Sequence, residues 1–324
     1  MMKRSITLAL LISLATPAFA QSPDPNWPSK PIHMIVPLPA GSAVDLVARL
    51  IGQKIGARLG QTVIVEDRPG ASGAIGTEAL ARAAPDGYTL GMATTTTLAT
   101  APVLNPKLPY DPVKDISPVA LVGVSPYVLV AYPGVPAKNL QELIALAKAK
   151  PGSLSYSSVG EASLAHLGGL LLSSMTGIQL THVPYKSSTH AVIDLNEGRI
   201  DLQFGIIPTT LQFIRTGKLR ALAVSTEKRL EELPDVPTFE EAGLKGFDVS
   251  LWFAVVGPKG LPPAIVARLN REIAAAIAEP DVRKAWDVQG IYPQSSSPEA
   301  LGERVAQDAD KWRNVASGIK LKEQ

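Results

Sequence analysis

The chain has 324 residues, no cysteine, and 31 Lys and Arg against 29 Asp and Glu. This near-neutral balance leaves no basic stripe for a nucleic-acid backbone, and the missing thiols exclude cysteine nucleophiles, iron–sulfur clusters and cysteine zinc sites. A chain of this length exceeds what one hydrophobic core usually supports, so two domains are expected.

Lys3 and Arg4 precede an apolar run, Ser5 to Ala15, and a small-x-small site, Ala18-Phe19-Ala20. That order is the pattern of a secretory signal peptide over residues 1–20, too short to cross a bilayer as a helix. The expected address is the periplasm, with a mature chain starting at Gln21. Without Lys3 and Arg4 the charges balance at 29 against 29. A thiol-free chain suits an oxidising compartment, and no cysteine follows the signal to carry a lipid. Later in the chain Val119–Val130 comes closest to a membrane span, and Ser125-Pro126 interrupts it.

Residues 32–36 form an apolar run closed by Pro37 and Pro39, which predicts a buried strand. Leu46, Val47, Leu50, Ile51, Ile55 and Leu59 recur at helical spacing until Gly60, with Ser42 as the N-cap. Strands follow at 62–66 and 89–93, separated by a glycine-punctuated loop and a second helix ending near Ala83. This β-α-β-α-β alternation predicts a parallel sheet covered by helices. A second series starts near Ser125. It has strands at 127–131, 154–157, 180–183, 201–206 and 219–224, and helices at 140–149, 163–175 and 189–196. Past a Pro-rich stretch at 234–237 come a strand at 252–256 and helices at 263–278, with Pro263 at its first position, and 298–315. The expected architecture is α/β with two lobes. Residues 21–124 and 229–324 form the first, and 125–228 form a second inserted in it. Two crossovers, near 124 and 228, would hinge a cleft.

Two loops suit an anion. Pro37–Asp45 joins the end of a parallel strand to a helix N-terminus, where open α/β sheets bind ligands. Gly41 admits a close backbone approach and Ser42 adds a hydroxyl, although a capping role alone would also explain Ser42. Ser157-Ser158-Val159-Gly160-Glu161-Ala162-Ser163 has the same strand-to-helix setting, with His166 one turn into the helix. His166 reads either as a ligand partner or as a structural donor. Thr94–Thr97 follows the third strand as a further cleft candidate. Asp45, Arg49 and Arg68 fit solvated positions, and Trp252 is either a cleft wall or core. Dinucleotide, Walker and nucleophile-elbow motifs are absent. The four histidines lack zinc spacing, so neither catalytic residues nor a metal or cofactor is expected.

Several segments then resemble one family. They are Trp27-Pro28-Ser29-Lys30-Pro31-Ile32, Ile35-Val36-Pro37-Leu38-Pro39-Ala40-Gly41, Glu66-Asp67-Arg68-Pro69-Gly70, Ala84-Pro85-Asp86-Gly87-Tyr88-Thr89-Leu90 and Leu108-Pro109-Tyr110-Asp111-Pro112. His182-Val183-Pro184-Tyr185-Lys186 and Leu233-Pro234-Asp235-Val236-Pro237-Thr238 complete the set. In order and along the whole mature chain, they resemble Bug-type receptors, the substrate-binding components of tripartite tricarboxylate transporters. The resemblance implies a two-lobed type II periplasmic-binding-protein fold with a hinged interdomain cleft, closing around a small carboxylate ligand. It implies large and small integral membrane transporter subunits as partners. The balanced charge gives no nucleic-acid footprint, and a monomer is expected because one cleft needs no second chain. Ligand contacts map to Pro39, Ala40, Gly41, Ser42 and Ala43 on the first loop, and to Ser157, Ser158, Gly160, Ser163 and His166 on the second. Thr94 and Gly205 are added from the neighbouring strand ends.

This chain departs from the family where Gly41-Ser42-Ala43-Val44 replaces a glycine-rich run, where Ala162 replaces a Gly, and where Gly205 follows Phe204 in place of an Asp. The lost acid argues against an amino-acid ligand. Val44, Ile206 and Ile207 suggest an apolar lining, suited to an aromatic carboxylate as well as to di- and tricarboxylates. A sensory binding protein serving a membrane sensor kinase, and a hydrolase or isomerase on a related fold, are the competing classes.

Overall fold

The computed structural model describes residues 26–317, apart from residues 106, 161, 162 and 186 and the side chain of Thr189. The expected signal peptide therefore lies outside the described residues, as do Glu161 and Ala162 of the second loop. The first unit runs β1 (Ile32–Val36), α1 (Ala43–Leu59), β2 (Val63–Asp67), α2 (Ala74–Ala81) and β3 (Thr89–Thr94). β1 pairs in parallel with both β2 and β3, as the alternating pattern requires. Helix α1 packs Val44, Val47, Ile51 and Ile55 into the core with Met34 and Val36 of β1. Gly60, left-handed at φ 71°, ends it.

β4 (Ile116–Ala131) spans 16 residues. Its first part, to Pro126, pairs antiparallel with β9 (Ser250–Pro258), and residues 127–131 pair antiparallel with β7 (Leu202–Ile206). The interruption expected at Ser125-Pro126 is not a break. Pro126 stands opposite Ser250 at the end of one ladder, a position that needs no N–H for a central pairing, and there β4 passes from one half-sheet to the other. The first half-sheet is ordered β2-β1-β3-β9-β4, with β10 (Tyr292–Pro293) on the far edge of β4. The second is β4-β7-β5-β6, with β5 (Ser155–Ser158) and β6 (Thr181–Pro184), and β8 (Arg220–Val224) again lies on the far edge of β4. α4 (Leu140–Ala149) leads into β5, α5 (Leu164–Thr176) and α6 (Ser188–Asn196) link the parallel strands, and α7 (Ile207–Arg215) joins β7 to β8. The fold is the expected two-lobed α/β arrangement.

The return crossing falls later than residue 228. Leu230, Leu233 and Val236 join the apolar cluster of Val128, Val130, Val192 and Leu195. Phe239 and Phe247 stack near Phe204 at 6.3 Å and 6.1 Å between ring centroids. The Pro-rich stretch thus covers the second half-sheet, and the chain returns only as β9 begins. We therefore propose lobes of 26–125 plus 250–317, and 126–249. Thr96–Leu104 is helical, a π-helical turn running into α3 (Ala101–Leu104), where a loop or strand end was expected. α8 (Pro263–Ile277) opens with Pro263 as expected, α9 (Pro280–Asp287) follows it, and α10 (Pro298–Ser317) closes the described chain. Trp252 is wholly buried, and its Nε1–H donates to Asp308 Oδ2 on α10 at 2.8 Å. It is a core residue rather than a cleft wall.

Candidate functional site

Loop one begins where β1 ends. Pro39, Ala40, Gly41 and Ala43 are exposed and Ser42 is half-buried. Ser42 Oγ accepts from Asp45 N–H at 3.3 Å, while Asp45 Oδ2 accepts from Gly41 N–H at 2.8 Å. This is a near relative of the capping box, reaching back one residue further than the usual form. The signal was present as Ser42-x-x-Asp45, yet Asp45 was expected at the surface. It is 3% exposed and pairs through Oδ1 with Arg49 Nε at 2.6 Å, while Arg49 also meets Asp67 at 2.7 Å. Burial opposes the Asp45 charge, but the Gly41 N–H and the Arg49 guanidinium outweigh it and hold the carboxyl below its usual range. Arg68 pairs with Glu66 at 2.8 Å. With Gly41 and Asp45 committed, the amides of Ala43 and Val44 remain as first-turn donors without an intrahelical acceptor. They sit at the positive end of a 17-residue helix, where an anion is favoured. Gly41 has φ +78°, and no heavy atom lies within 4 Å of where a Cβ would stand, so the backbone is bare on that side.

Loop two follows β5. Ser158 Oγ donates to Gly160 O at 2.9 Å and accepts from Gly160 N–H at 3.1 Å. It also lies 2.6 Å from His182 Nε2. Ser163 caps α5, accepting from His166 N–H at 3.3 Å and donating to Gly160 O at 2.8 Å. Leu164 and Ala165 then hold the uncommitted first-turn amides. Gly160, at φ +114°, again has no heavy atom within 4 Å of a virtual Cβ. His166 is buried and its ring stacks on His182 at 4.0 Å. Burial, then the neighbouring His182, lowers its pKa to about 4. His166 is therefore a neutral, packed ring beneath the loop rather than a cation facing an anion. Ser157 is fully buried; among the described residues its Oγ has no hydrogen-bond partner, and neither has Oε1 of Gln203, its register neighbour on β7.

The remaining candidates are packed into the fold. Thr94 is 0% exposed and locked to Thr97, donating N–H to Oγ1 at 3.0 Å and accepting at its own Oγ1 from Thr97 N–H at 3.4 Å. Gly205 lies in β7 opposite Val128, where an added Cβ would stand 2.4 Å from Thr210 Cγ2. Val44 and Ile207 belong to the cores of the two lobes, so the apolar lining expected of them is not formed; Ile206 alone is partly exposed. The two loops share no hydrogen bond among the described residues. Each sits at the C-terminal end of a parallel strand of its half-sheet, β1 in the first and β5 in the second. A partly open cavity of about 620 Å³ lies elsewhere, among Glu232, Asp248, Tyr292 and Arg304. It contains none of the loop residues.

Residues 47–321 match the family model described as the tripartite tricarboxylate transporter family receptor. BugT of Bordetella pertussis is 39% identical over 318 residues, covering 97% of each chain, which bears out the Bug-type motifs. MatC of Rhodopseudomonas palustris, solved with bound malate, is 33% identical with a TM-score of 0.69, over 89% of this chain and 99% of its own. A TctC solute-binding protein from Polaromonas, solved with no ligand, is 29% identical with a TM-score of 0.83, over 90% of this chain and 100% of its own. The chain thus superposes better on the ligand-free protein despite the lower identity.

Proposed function

We propose that this chain, which belongs to the tripartite tricarboxylate transporter family of receptors, captures a small dicarboxylate in the periplasm and presents it to large and small membrane subunits. The observation that carries the reading is the pair of bare helix N-termini, one on each lobe. Ala43 and Val44 amides would hold one carboxylate, and Leu164 and Ala165 amides the other. Each loop is braced from below, by Asp45 in one case and by Ser158, Ser163 and the His166–His182 stack in the other. Donors fixed before binding lose little freedom on binding. Malate bound to MatC supports a ligand with two acidic ends. Gly205, standing where relatives place an acid, removes a partner for an amine and argues against amino acids. The cleft is complete within one chain, so a monomer suffices. No helix of the described residues is long and apolar enough to cross a membrane.

The test is a thermal-shift screen of the mature protein against malate, longer aliphatic dicarboxylates, aromatic carboxylates and amino acids. A ligand at about a hundred times its Kd should add roughly 2.7 kcal/mol of stability. A rise confined to dicarboxylates supports the reading. A rise with amino acids alone, or none with any carboxylate on folded, ligand-free protein, overturns it.

A further inference from the structure

Beneath the first loop, two carboxyl groups share one arginine. Asp67 closes β2 in register with Val36, the last residue of β1, so it stands where the loop departs. Arg49 reaches it from α1, donating from Nη2 to Asp67 Oδ2 at 2.7 Å. Through Nε the same guanidinium lies 2.6 Å from Asp45 Oδ1, an ion pair without hydrogen-bond geometry. One positive charge thus faces two negative ones. Each carboxyl keeps one buried oxygen without a hydrogen bond among the described residues, and in both it is Oδ1. A buried carboxylate oxygen in that state is unfavourable. The two side chains are within hydrogen-bonding reach of each other. A single proton held between them would satisfy both oxygens, as it does where two adjacent carboxylates cannot both ionise.

The neighbouring charges have other partners. Glu66 points to the opposite face of β2 and meets Arg68 at 2.8 Å and His33 at 2.5 Å. On α1 the next charged residue, Lys54, turns to Glu279 and Asp281. Residues 34–44 and 69–77 add no charged side chain. Burial, then the Asp45 charge, raises the Asp67 carboxyl above its usual value, while Asp45 is held below its own. Asp67 is therefore the member that takes the proton. Asp45 is the third residue of α1, within one turn, about 5.4 Å along the axis, of the Ala43 and Val44 amides. A ligand carboxylate on those amides adds a third negative charge to the cluster. Like charges at that range favour proton uptake, and by linkage the proton favours the ligand by the same factor.

We propose that Asp67 is an affinity-setting residue: the receptor binds its dicarboxylate together with one proton, which the Asp45 and Asp67 carboxyls share. The proposal rests on the reading that the first loop holds a carboxylate. The proton comes from water, forms an O–H bond on Asp67 Oδ1 and is donated to Asp45 Oδ1. The cluster of two carboxyls and Arg49 then goes from one net negative charge to none. Asp45 Oδ2 keeps its bond from Gly41 N–H throughout, so the loop stays braced.

Titration calorimetry of malate, in two buffers of different ionisation enthalpy, counts the protons taken up. The isosteric Asp67→Asn makes the cluster permanently neutral, and malate's own titration cancels between it and wild type. Wild type should take up more protons than Asp67→Asn at about pH 5. Asp67→Asn should bind malate roughly three- to tenfold more tightly than wild type at about pH 7.5, and the two Kd values should converge as pH falls. A structural defect would instead weaken binding at every pH. In ligand-free protein, carbon-13 shifts should show the Asp67 carboxyl titrating above the ordinary aspartate value, and lower in Asp45→Asn. This readout does not need Asp67→Asn to fold. Equal proton counts in wild type and Asp67→Asn, or an Asp67 carboxyl titrating at or below the ordinary value, overturn the proposal and leave the receptor reading intact. Failure of every carboxylate to bind overturns that reading and the proposal with it.

Discussion

Asp45 offers a test of how the first loop is held, because its two contacts can be removed separately. Asp45→Asn keeps an acceptor for Gly41 N–H but loses the charge opposite Arg49. Asp45→Ala loses both. A hydrogen bond to a buried carboxylate contributes roughly 1.5–3 kcal/mol. The Arg49 side chain is 50% exposed, so solvent screening makes its share the smaller of the two. Asp67 gives part of this back: its carboxyl is raised by burial and by the Asp45 charge, so neutralising Asp45 relieves it. The expected losses are about 1 kcal/mol for Asp45→Asn and about 2–3 kcal/mol for Asp45→Ala, read as a fall in the urea midpoint at unchanged slope. Kd should rise more for Asp45→Ala, because Gly41 is then free to swing the Ala43 and Val44 amides out of line. The folded carboxyl is held below its ordinary value of 3.8. Its stabilisation is therefore present above that value and lost as pH falls through the folded pKa, and Asp45→Asn should flatten that acid limb. A loss below about 0.5 kcal/mol for Asp45→Ala, with Kd unchanged, would refute the bracing role.

His166 should make stability depend on pH in a higher window. Its pKa falls from 6.5 to about 4 through burial and then His182, so the unfolded chain takes up a proton first. Stability should be complete above 6.5 and decline toward pH 4, by up to about 3 kcal/mol. His166→Gln should remove that slope from melting temperatures taken between pH 4 and 7; an unchanged slope would refute the assignment. Restoring the family's acid with Gly205→Asp should fail to create amine binding, since its Cβ meets Thr210 Cγ2 at 2.4 Å. Overpacking of this kind costs about 1–3 kcal/mol. Thr210→Ala should recover part of the melting temperature, and full stability in Gly205→Asp alone would show the clash to be relieved elsewhere.

The parallel units were legible because their signals are local. Ser42 and Ser163 are separated by three residues from the amides they cap, and Gly60 and Gly177 end the helices those caps begin. Apolar spacing in α1 placed Val47, Ile51, Ile55 and Leu59 on its buried face, but Leu46, expected there too, is exposed. Where partners are distant the reading failed. The stretch at 234–237 looks like a linker until Val236 and Phe239 are seen covering the second lobe. Ser125-Pro126 looks like a break because periodicity cannot show that β4 changes partners there. Thr94–Thr97 has strand composition, but mutual hydroxyl caps turn it into a helix start.

The same division explains the site. Gly41 and Gly160 could be singled out because a ligand-facing backbone needs a residue without a side chain, and composition records that. What holds those glycines in place could not be read: it took folding to bring His182 onto Ser158, 24 residues back, and onto the His166 ring. The Tyr292 hydroxyl, which donates to Glu232 at 3.0 Å, is further still from any local pattern. A binding protein of this architecture has two separable requirements, donors that face the ligand and an equilibrium between open and closed lobes. The first is met by short loops and leaves a trace in sequence. The second is met by contacts between lobes, such as Gly290 on Pro208, that exist only once the hinge is built. Substitutions at such contacts leave the loop motifs unchanged, so the hinge leaves no comparable trace in the sequence.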